Sequence, residues 1–212
     1  MASFLREHLL RIGKFVALAS ATSGALSYVS FSTVFAKEKR SESSFMAEPV
    51  TPREKLVAGD MRTRMELMIM QMQREFCDEL MRLDGSAFKV DKWERQAGGG
   101  GITCVIQDGK VFEKAGVNIS VVYGDLPKAA IQQMKQRNQL KGLKDSDKLP
   151  FFATGISSVV HPRNPMVPTI HYNYRYFEVQ DQDGKKSWWF GGGTDLTPYY
   201  LDEQRNLMGG GL

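Results

Sequence analysis

Cysteine is nearly absent: Cys77 and Cys104 are the 2 thiols of a 212-residue chain, with no C-x-x-C pair and no companion histidine at ligand spacing. That excludes a disulfide framework, gives no ground for a metal site, and leaves two buried free thiols as the expectation. Charge of one sign is lacking as well. The 28 Lys and Arg against 24 Asp and Glu leave +4, spread over the chain, a weak electrostatic footprint that argues against a nucleic-acid partner. No internal repeat of fixed period is visible. With 42% hydrophobic and 25% charged residues, disorder throughout and collagen are excluded. At roughly 150 residues per domain, the length suits one domain plus an extension.

The extension is read at the N-terminus. Arg6, Arg11 and Lys14 face a single acid, Glu7, with Leu5, Leu9, Leu10 and Ile12 gathered on one side of a helix, as in a mitochondrial presequence. Phe15 to Ala36 carries no charge and is long enough, at 1.5 Å per residue, to span a bilayer core of roughly 30 Å. Its serines and threonines make it a mediocre span, and Lys37, Lys39 and Arg40 follow. Together these predict a two-part presequence that stalls at the inner membrane; the competing reading is an uncleaved membrane anchor. Lys37 to Val50, with Ser41, Ser43 and Ser44 among charges, reads as a polar linker. The expected division is 1–50 presequence and linker, 51–201 folded domain, and 202–212 an atypical tail.

Thr51, Pro52 and Glu54 form a capping box with proline at the first helical position, so a helix is predicted to start there. Met61, Met65, Met68, Met72, Phe76, Leu80 and Leu83 recur at steps of three or four until Asp84 and Gly85 stop them. The methionine stripe is read as core packing rather than a deformable binding groove. The period then changes to two. Strands are predicted over Phe88 to Glu94, Ile102 to Ile106, Val111-Phe112 and Val117 to Tyr123, with a hairpin turn at Asp108-Gly109. Pro127 to Leu140 returns to helical spacing, Lys141 to Lys148 is a charged loop, and Phe151 to Val160, Thr169 to Val179 and Lys186 to Phe190 are again strand-like. Helices bracketing antiparallel strands give an α+β domain, a large antiparallel sheet flanked by helices.

Three segments carry chemistry-bearing residue types. Gly98 to Gly101 lacks the lysine and hydroxyl of a phosphate loop, and a flexible loop entering a strand, or one backing closely onto a ligand, is the better reading. In Thr169 to Glu178, strand alternation sets His171, Asn173 and Arg175 on one face and Tyr172, Tyr174 and Tyr176 on the other. Histidine moves protons near neutral pH, arginine grips carboxylates bidentately and asparagine both donates and accepts. Either the first face is a site, or it is merely solvated while the tyrosine face packs. Trp188, Trp189 and Phe190 before Gly191, Gly192 and Gly193 would wall a cavity for a large flat ligand, with Asp195 at its rim; alone, Asp195 reads as a turn or cap residue.

His171-Tyr-Asn-Tyr-Arg-Tyr-Phe-Glu178, Trp188-Trp-Phe-Gly-Gly-Gly-Thr-Asp-Leu-Thr-Pro198 and Gln107-Asp-Gly-Lys-Val-Phe-Glu-Lys-Ala-Gly-Val117 closely resemble oxygen-dependent coproporphyrinogen-III oxidase, over about Glu54 to Leu201. The resemblance implies a homodimeric enzyme of haem synthesis without metal or organic cofactor. Such enzymes convert two propionates of coproporphyrinogen III to vinyl groups, giving protoporphyrinogen IX with O2 as oxidant, and in animals they sit in the mitochondrial intermembrane space. Carried over by motif, His171 is the proton donor, Asp195 the carboxylate facing pyrrole N–H groups and Arg175 the grip on the departing propionate. Ser157, Asn173, Tyr174 and Arg175 contact substrate. Asp108, Gly109, Lys110, Val111, Phe112, Glu113 and Lys114 belong to the dimer contact. Peripheral association with the inner mitochondrial membrane is the further partner expected.

Family members continue well past the Leu-Thr-Pro motif, whereas Asp202 to Leu212 departs from their pattern. An exposed sheet edge and an incomplete core are therefore expected. The alternative function is a truncated non-catalytic product that dimerises with, or competes against, the full-length enzyme. A membrane-anchored binding module, resting only on Phe15 to Arg40, is the third reading.

Overall fold

The computed structural model describes residues 45–140, 143 and 148–200. The expected presequence, the uncharged stretch, most of the charged loop at 141–148 and the tail at 202–212 lie outside the described residues. Within them, a 3-10 turn (Arg53–Lys55) precedes helix α1 (Met61–Asp84), then β1 (Lys89–Glu94), β2 (Gly99–Gln107), β3 (Phe112–Asp125), α2 (Lys128–Gln136), β4 (Pro150–Pro162), β5 (Thr169–Gln180) and β6 (Lys186–Thr197). The six strands form one antiparallel meander in chain order, the α+β class that the change of period predicts.

α1 begins nine residues later than the capping box suggests, at Met61 instead of Pro52. Gly59 takes a φ of +88°, which breaks the helical path, and the amides ahead of it are captured by helix side chains instead. The Thr51 N–H donates to Glu66 Oε1 at 2.8 Å and the Val57 N–H to Thr63 Oγ1 at 3.0 Å. The described end of the expected linker is packed too: Phe45, Met46, Ala47 and Val50 lie against the core, and Lys92 Nζ donates to the Pro49 carbonyl at 2.8 Å. Its apolar residues bury area that the polar run before them conceals.

α1 covers one face of the sheet. Its centre is Ile69, Met70, Gln73 and Cys77, packed on Ile102, Cys104, Ala115, Val117, Ile119, Ile156 and Tyr172. The methionine stripe of the sequence lies partly to one side of this line, because Glu66, Gln73 and Asp84 are buried polar residues inside it. Each finds a partner, as burial demands; Gln73 Nε2 donates to the carbonyls of Ile102 and Val117, both at 2.9 Å. Cys77 and Cys104 are buried free thiols, as expected. Gly99, at φ +84°, cannot carry a side chain, since a Cβ would stand 2.1 Å from the Val121 carbonyl oxygen. The glycine run is thus the tight start of β2 rather than a flexible loop.

Asp84 closes α1 onto the β2–β3 hairpin. At 2% exposure, it accepts from the backbone N–H groups of Lys110 (3.2 Å), Val111 (2.9 Å) and Phe112 (2.9 Å). Burial alone would raise its pKa, but the Ser86 hydroxyl and these three amides outweigh it and bring the carboxyl from 3.8 down to about 2. A depressed folded-state pKa contributes stability that is present above 3.8 and lost as pH falls through about 2. Asp84→Asn is expected to cost about 2 kcal/mol at neutral pH and to flatten the acid limb of the stability profile. Urea midpoints at neutral pH and near pH 3 check both.

The second face is covered at one end only. α2 and its flanks set Leu126, Ile131, Leu140 and Leu149 against Val179, with Phe151, Phe177 and Trp189 packed alongside. Beyond that cluster no described element covers this face. Among the described strands β6 is a sheet edge, and Trp188, Phe190 and Leu196 on its α1 side stand 54%, 52% and 46% exposed.

Candidate active site

Antiparallel register sorts the open face into rungs. One runs Gly101, Ser120, Gly155, Arg175, Gly191; the next Thr103, Asn118, Ser157, Asn173, Gly193; the third Val105, Gly116, Val159, His171, Asp195. Strand alternation therefore brings residues from five strands, distant in sequence, to one surface. On β5 the tyrosine face is the packed one, which leaves His171, Asn173 and Arg175 on the face away from α1: Tyr172 and Tyr176 are 5% and 1% exposed, and Phe76 of α1 meets the Tyr172 ring edge-on at 5.3 Å. Burial pushes both phenols above their ordinary pKa, as fits packing residues.

β6 runs on through the glycines to Thr197, so Asp195 is a strand residue and not a turn or cap. It stands opposite His171, and the two side chains meet, Nδ1 to Oδ1, at 2.7 Å. A carboxylate only accepts, so Nδ1 carries the proton and Nε2 is the nitrogen left for a ligand. The pair is held by strand register, not by burial: His171 and Asp195 side chains are 34% and 58% exposed.

Two rungs along the same strand, Arg175 is exposed and forms no ion pair with any described residue. Its Cγ lies over β4 where Gly155 leaves room; a Cβ there would sit 2.6 Å from the Tyr174 carbonyl oxygen and 3.2 Å from Arg175 Cγ. Between Arg175 and His171, in the middle rung, Ser157 and Asn173 face each other in register, both half-buried and neither side chain hydrogen-bonded to a described residue. A guanidinium, a hydroxyl, an amide and an imidazole–carboxylate pair, all facing out with bonding capacity unspent, can hold a carboxylate-bearing ligand and move a proton on it.

The family model described as coproporphyrinogen III oxidase matches residues 64–207. The chain belongs to the coproporphyrinogen III oxidase family. It is 64% identical over 167 residues to the oxygen-dependent coproporphyrinogen-III oxidase of Drosophila melanogaster, covering 76% of this chain and 42% of that protein. With the human enzyme, named mitochondrial, identity is 59% over 165 residues, covering 76% and 36%. With an Arabidopsis thaliana coproporphyrinogen-III oxidase named chloroplastic it is 48% over 166 residues, covering 74% and 41%. The chain thus spans about two fifths of the length of these relatives.

Five of the residues assigned by resemblance to the oxidase family, His171, Asp195, Arg175, Ser157 and Asn173, share the open face. Tyr174 does not: its side chain is on the α1 face, where its hydroxyl meets Thr194 Oγ1 at 3.0 Å, and only its backbone belongs to the site segment. Nor do the aromatics before the glycines form one wall. Trp189 is on the open-face side, stacked on Phe177 at 4.9 Å, while Trp188 and Phe190 flank Tyr176 on the other. The segment Asp108–Lys114 spans the β2–β3 turn and the first residues of β3, with Asp108 at φ +57°, Phe112 in the core and the Gly109 carbonyl accepting from Arg163 Nε at 2.6 Å. Among the described residues no group of three or more metal-ligand side chains gathers. One polar residue on this face, Asn118, escaped notice in the sequence, since Val117 to Tyr123 reads as an ordinary alternating strand.

Proposed function

We propose that the open face of this sheet binds coproporphyrinogen III and takes part in converting two of its propionates to vinyl groups, giving protoporphyrinogen IX with O2 as oxidant. The observation that carries this reading is that the Ser157, Asn173 and Arg175 side chains have no hydrogen-bond or ion-pair partner among the described residues yet lie beside a preformed His171–Asp195 pair. Arg175 takes the propionate that is lost, because its planar fork matches a carboxylate. Asp195 uses Oδ1 on His171, which leaves Oδ2 to accept from a pyrrole N–H. The electron-rich pyrrole gives up its proton and the resulting anion reacts with O2. The reduced oxygen takes a hydrogen from the propionate carbon bonded to the ring, and loss of CO2 from the held carboxylate completes the C=C bond, so that each RCH2CH2COO− with O2 and a proton gives RCH=CH2, CO2 and H2O2. His171 Nε2 is the atom placed to give or take the proton. No metal or organic cofactor is invoked.

A mitochondrial intermembrane-space location, a removable presequence, peripheral contact with the inner membrane and a homodimer built partly on Asp108–Lys114 complete the proposal. The basic amphipathic start and the mitochondrial names of mammalian relatives support the compartment. The test is an anaerobic titration with coproporphyrinogen III followed by air, reading bound ligand by tryptophan quenching and product as protoporphyrin fluorescence. Saturable binding and product are expected. No binding overturns the proposal, and binding without product favours the non-catalytic alternative.

A further inference from the structure

Asn118 sits on β3 in the middle rung, directly opposite Ser157 on one side and Thr103 on the other. Its Oδ1 is buried with no hydrogen-bond partner, and its amide forms no bond with any described residue. Thr103 is already engaged, accepting from Trp93 Nε1 at 3.2 Å, so the row of unspent groups runs Asn118, Ser157, Asn173. An unpaired buried amide oxygen costs stability, roughly 1–3 kcal/mol, and where one persists in an otherwise well-partnered sheet it calls for an explanation. The side chain as a whole is half-buried. Because the amide holds no bond, turning it over about χ2 breaks nothing and presents the oxygen to the open face.

We propose that Asn118 is a further ligand-contacting residue of this site, its amide oxygen accepting from a pyrrole N–H of the bound tetrapyrrole. The inference rests on the function proposed above and deepens it. With neighbouring strands ~4.8 Å apart, the three polar side chains span about 10 Å across β3, β4 and β5, which spreads the macrocycle over the sheet instead of confining it to β5 and β6. The division of labour follows from chemistry. Arg175 can only donate and therefore suits the carboxylate periphery, whereas the centre of a porphyrinogen presents N–H donors and needs acceptors. Asp195 supplies one and Asn118 a second, on opposite sides of Ser157 and Asn173.

Two near-isosteric variants separate the roles. Asn118→Leu removes the acceptor and is expected to weaken anaerobic coproporphyrinogen III binding by roughly three- to tenfold, without lowering the melting temperature, since it also removes the orphaned oxygen. Asn118→Asp keeps an acceptor and should bind within about twofold of the unsubstituted chain, a bound set by the small net worth of one exchanged hydrogen bond. Binding by Asn118→Leu equal to that of the unsubstituted chain overturns the inference while leaving the proposed function standing. Loss in Asn118→Asp as large as in Asn118→Leu overturns it too, by showing that the amide donates. Failure of the unsubstituted chain to bind removes the proposed function and this inference together.

Discussion

Asp195→Asn is expected to lower the rate of protoporphyrinogen formation by roughly 10²–10⁴-fold, the range by which a positioned proton-transfer group contributes, while leaving the affinity for coproporphyrinogen III within a few-fold. In the structure the carboxylate accepts from His171 Nδ1 at 2.7 Å, which fixes the tautomer with Nε2 free. An amide can turn its NH2 toward Nδ1; the ring proton then moves to Nε2 and the imidazole faces the ligand in the opposite sense. The same substitution removes the charge available to a pyrrole N–H. Stability separates this from a structural effect. With side chains 34% and 58% exposed, the pair is of the surface kind, contributing about 1 kcal/mol at most, so the variant should unfold at nearly the same urea concentration. Arg175→Leu provides the contrast: its loss should appear first in affinity, about tenfold or more, since a charge-assisted bond to a carboxylate is removed. Undiminished turnover in Asp195→Asn would remove the dyad from the mechanism.

How much of this was legible in the sequence follows from what each signal measures. Alternation and turn chemistry located all six strands, because the period of two is imposed by the pleat and survives any tertiary context. The alternation in Thr169 to Glu178 also placed His171, Asn173 and Arg175 on one face before any neighbour was known. It could not say which face packs, since tyrosine serves a core and a rim equally; the decision comes from Phe76 of α1 closing on Tyr172. Glycine misled. Gly191 to Gly193 read as the end of a strand, yet they continue β6 opposite Asn173, Tyr174 and Arg175, and only that continuation carries Asp195 to His171. The capping box at Thr51 failed for a related reason: local propensity is outweighed when Glu66 and Thr63, buried on α1, capture the preceding amides. Asn118 had no local signature at all. Its interest lies in what it fails to touch, a property of three strands together.

Glu178→Leu is expected to lower the unfolding free energy by about 3–5 kcal/mol, the cost of breaking a buried ion pair from one side. Glu178 follows the site residues on β5 but turns to the α1 face, with its side chain 2% exposed. Oε1 accepts from Arg62 at the start of α1, through Nη2 and through Nε at 3.1 Å, and from Lys186 Nζ at 3.1 Å at the start of β6. Oε2 accepts from the Tyr176 hydroxyl at 2.6 Å. Burial would raise this carboxyl's pKa, but Arg62, Tyr176 and Lys186 hold it below the ordinary value of 4.5; its contribution is therefore present above that value and lost as pH falls through the lowered one. Arg62 and Lys186 are 38% and 42% exposed and can swing their charges to water, which puts the expected loss toward the lower end. Tyr176, at 1% exposure, cannot, and its hydroxyl is left unpaired in the core. Tyr176→Phe should therefore cost less, about 1–2 kcal/mol, and the double variant less than the sum of the two singles, because both remove the same bond. Urea unfolding at constant slope measures all three. Strict additivity would mean that the hydroxyl and carboxylate do not act together. Because this carboxylate ties the first turn of α1 to the edge strand that carries Asp195, its removal should also loosen β6, seen as faster amide exchange at Trp189 to Gly193 than in Tyr176→Phe.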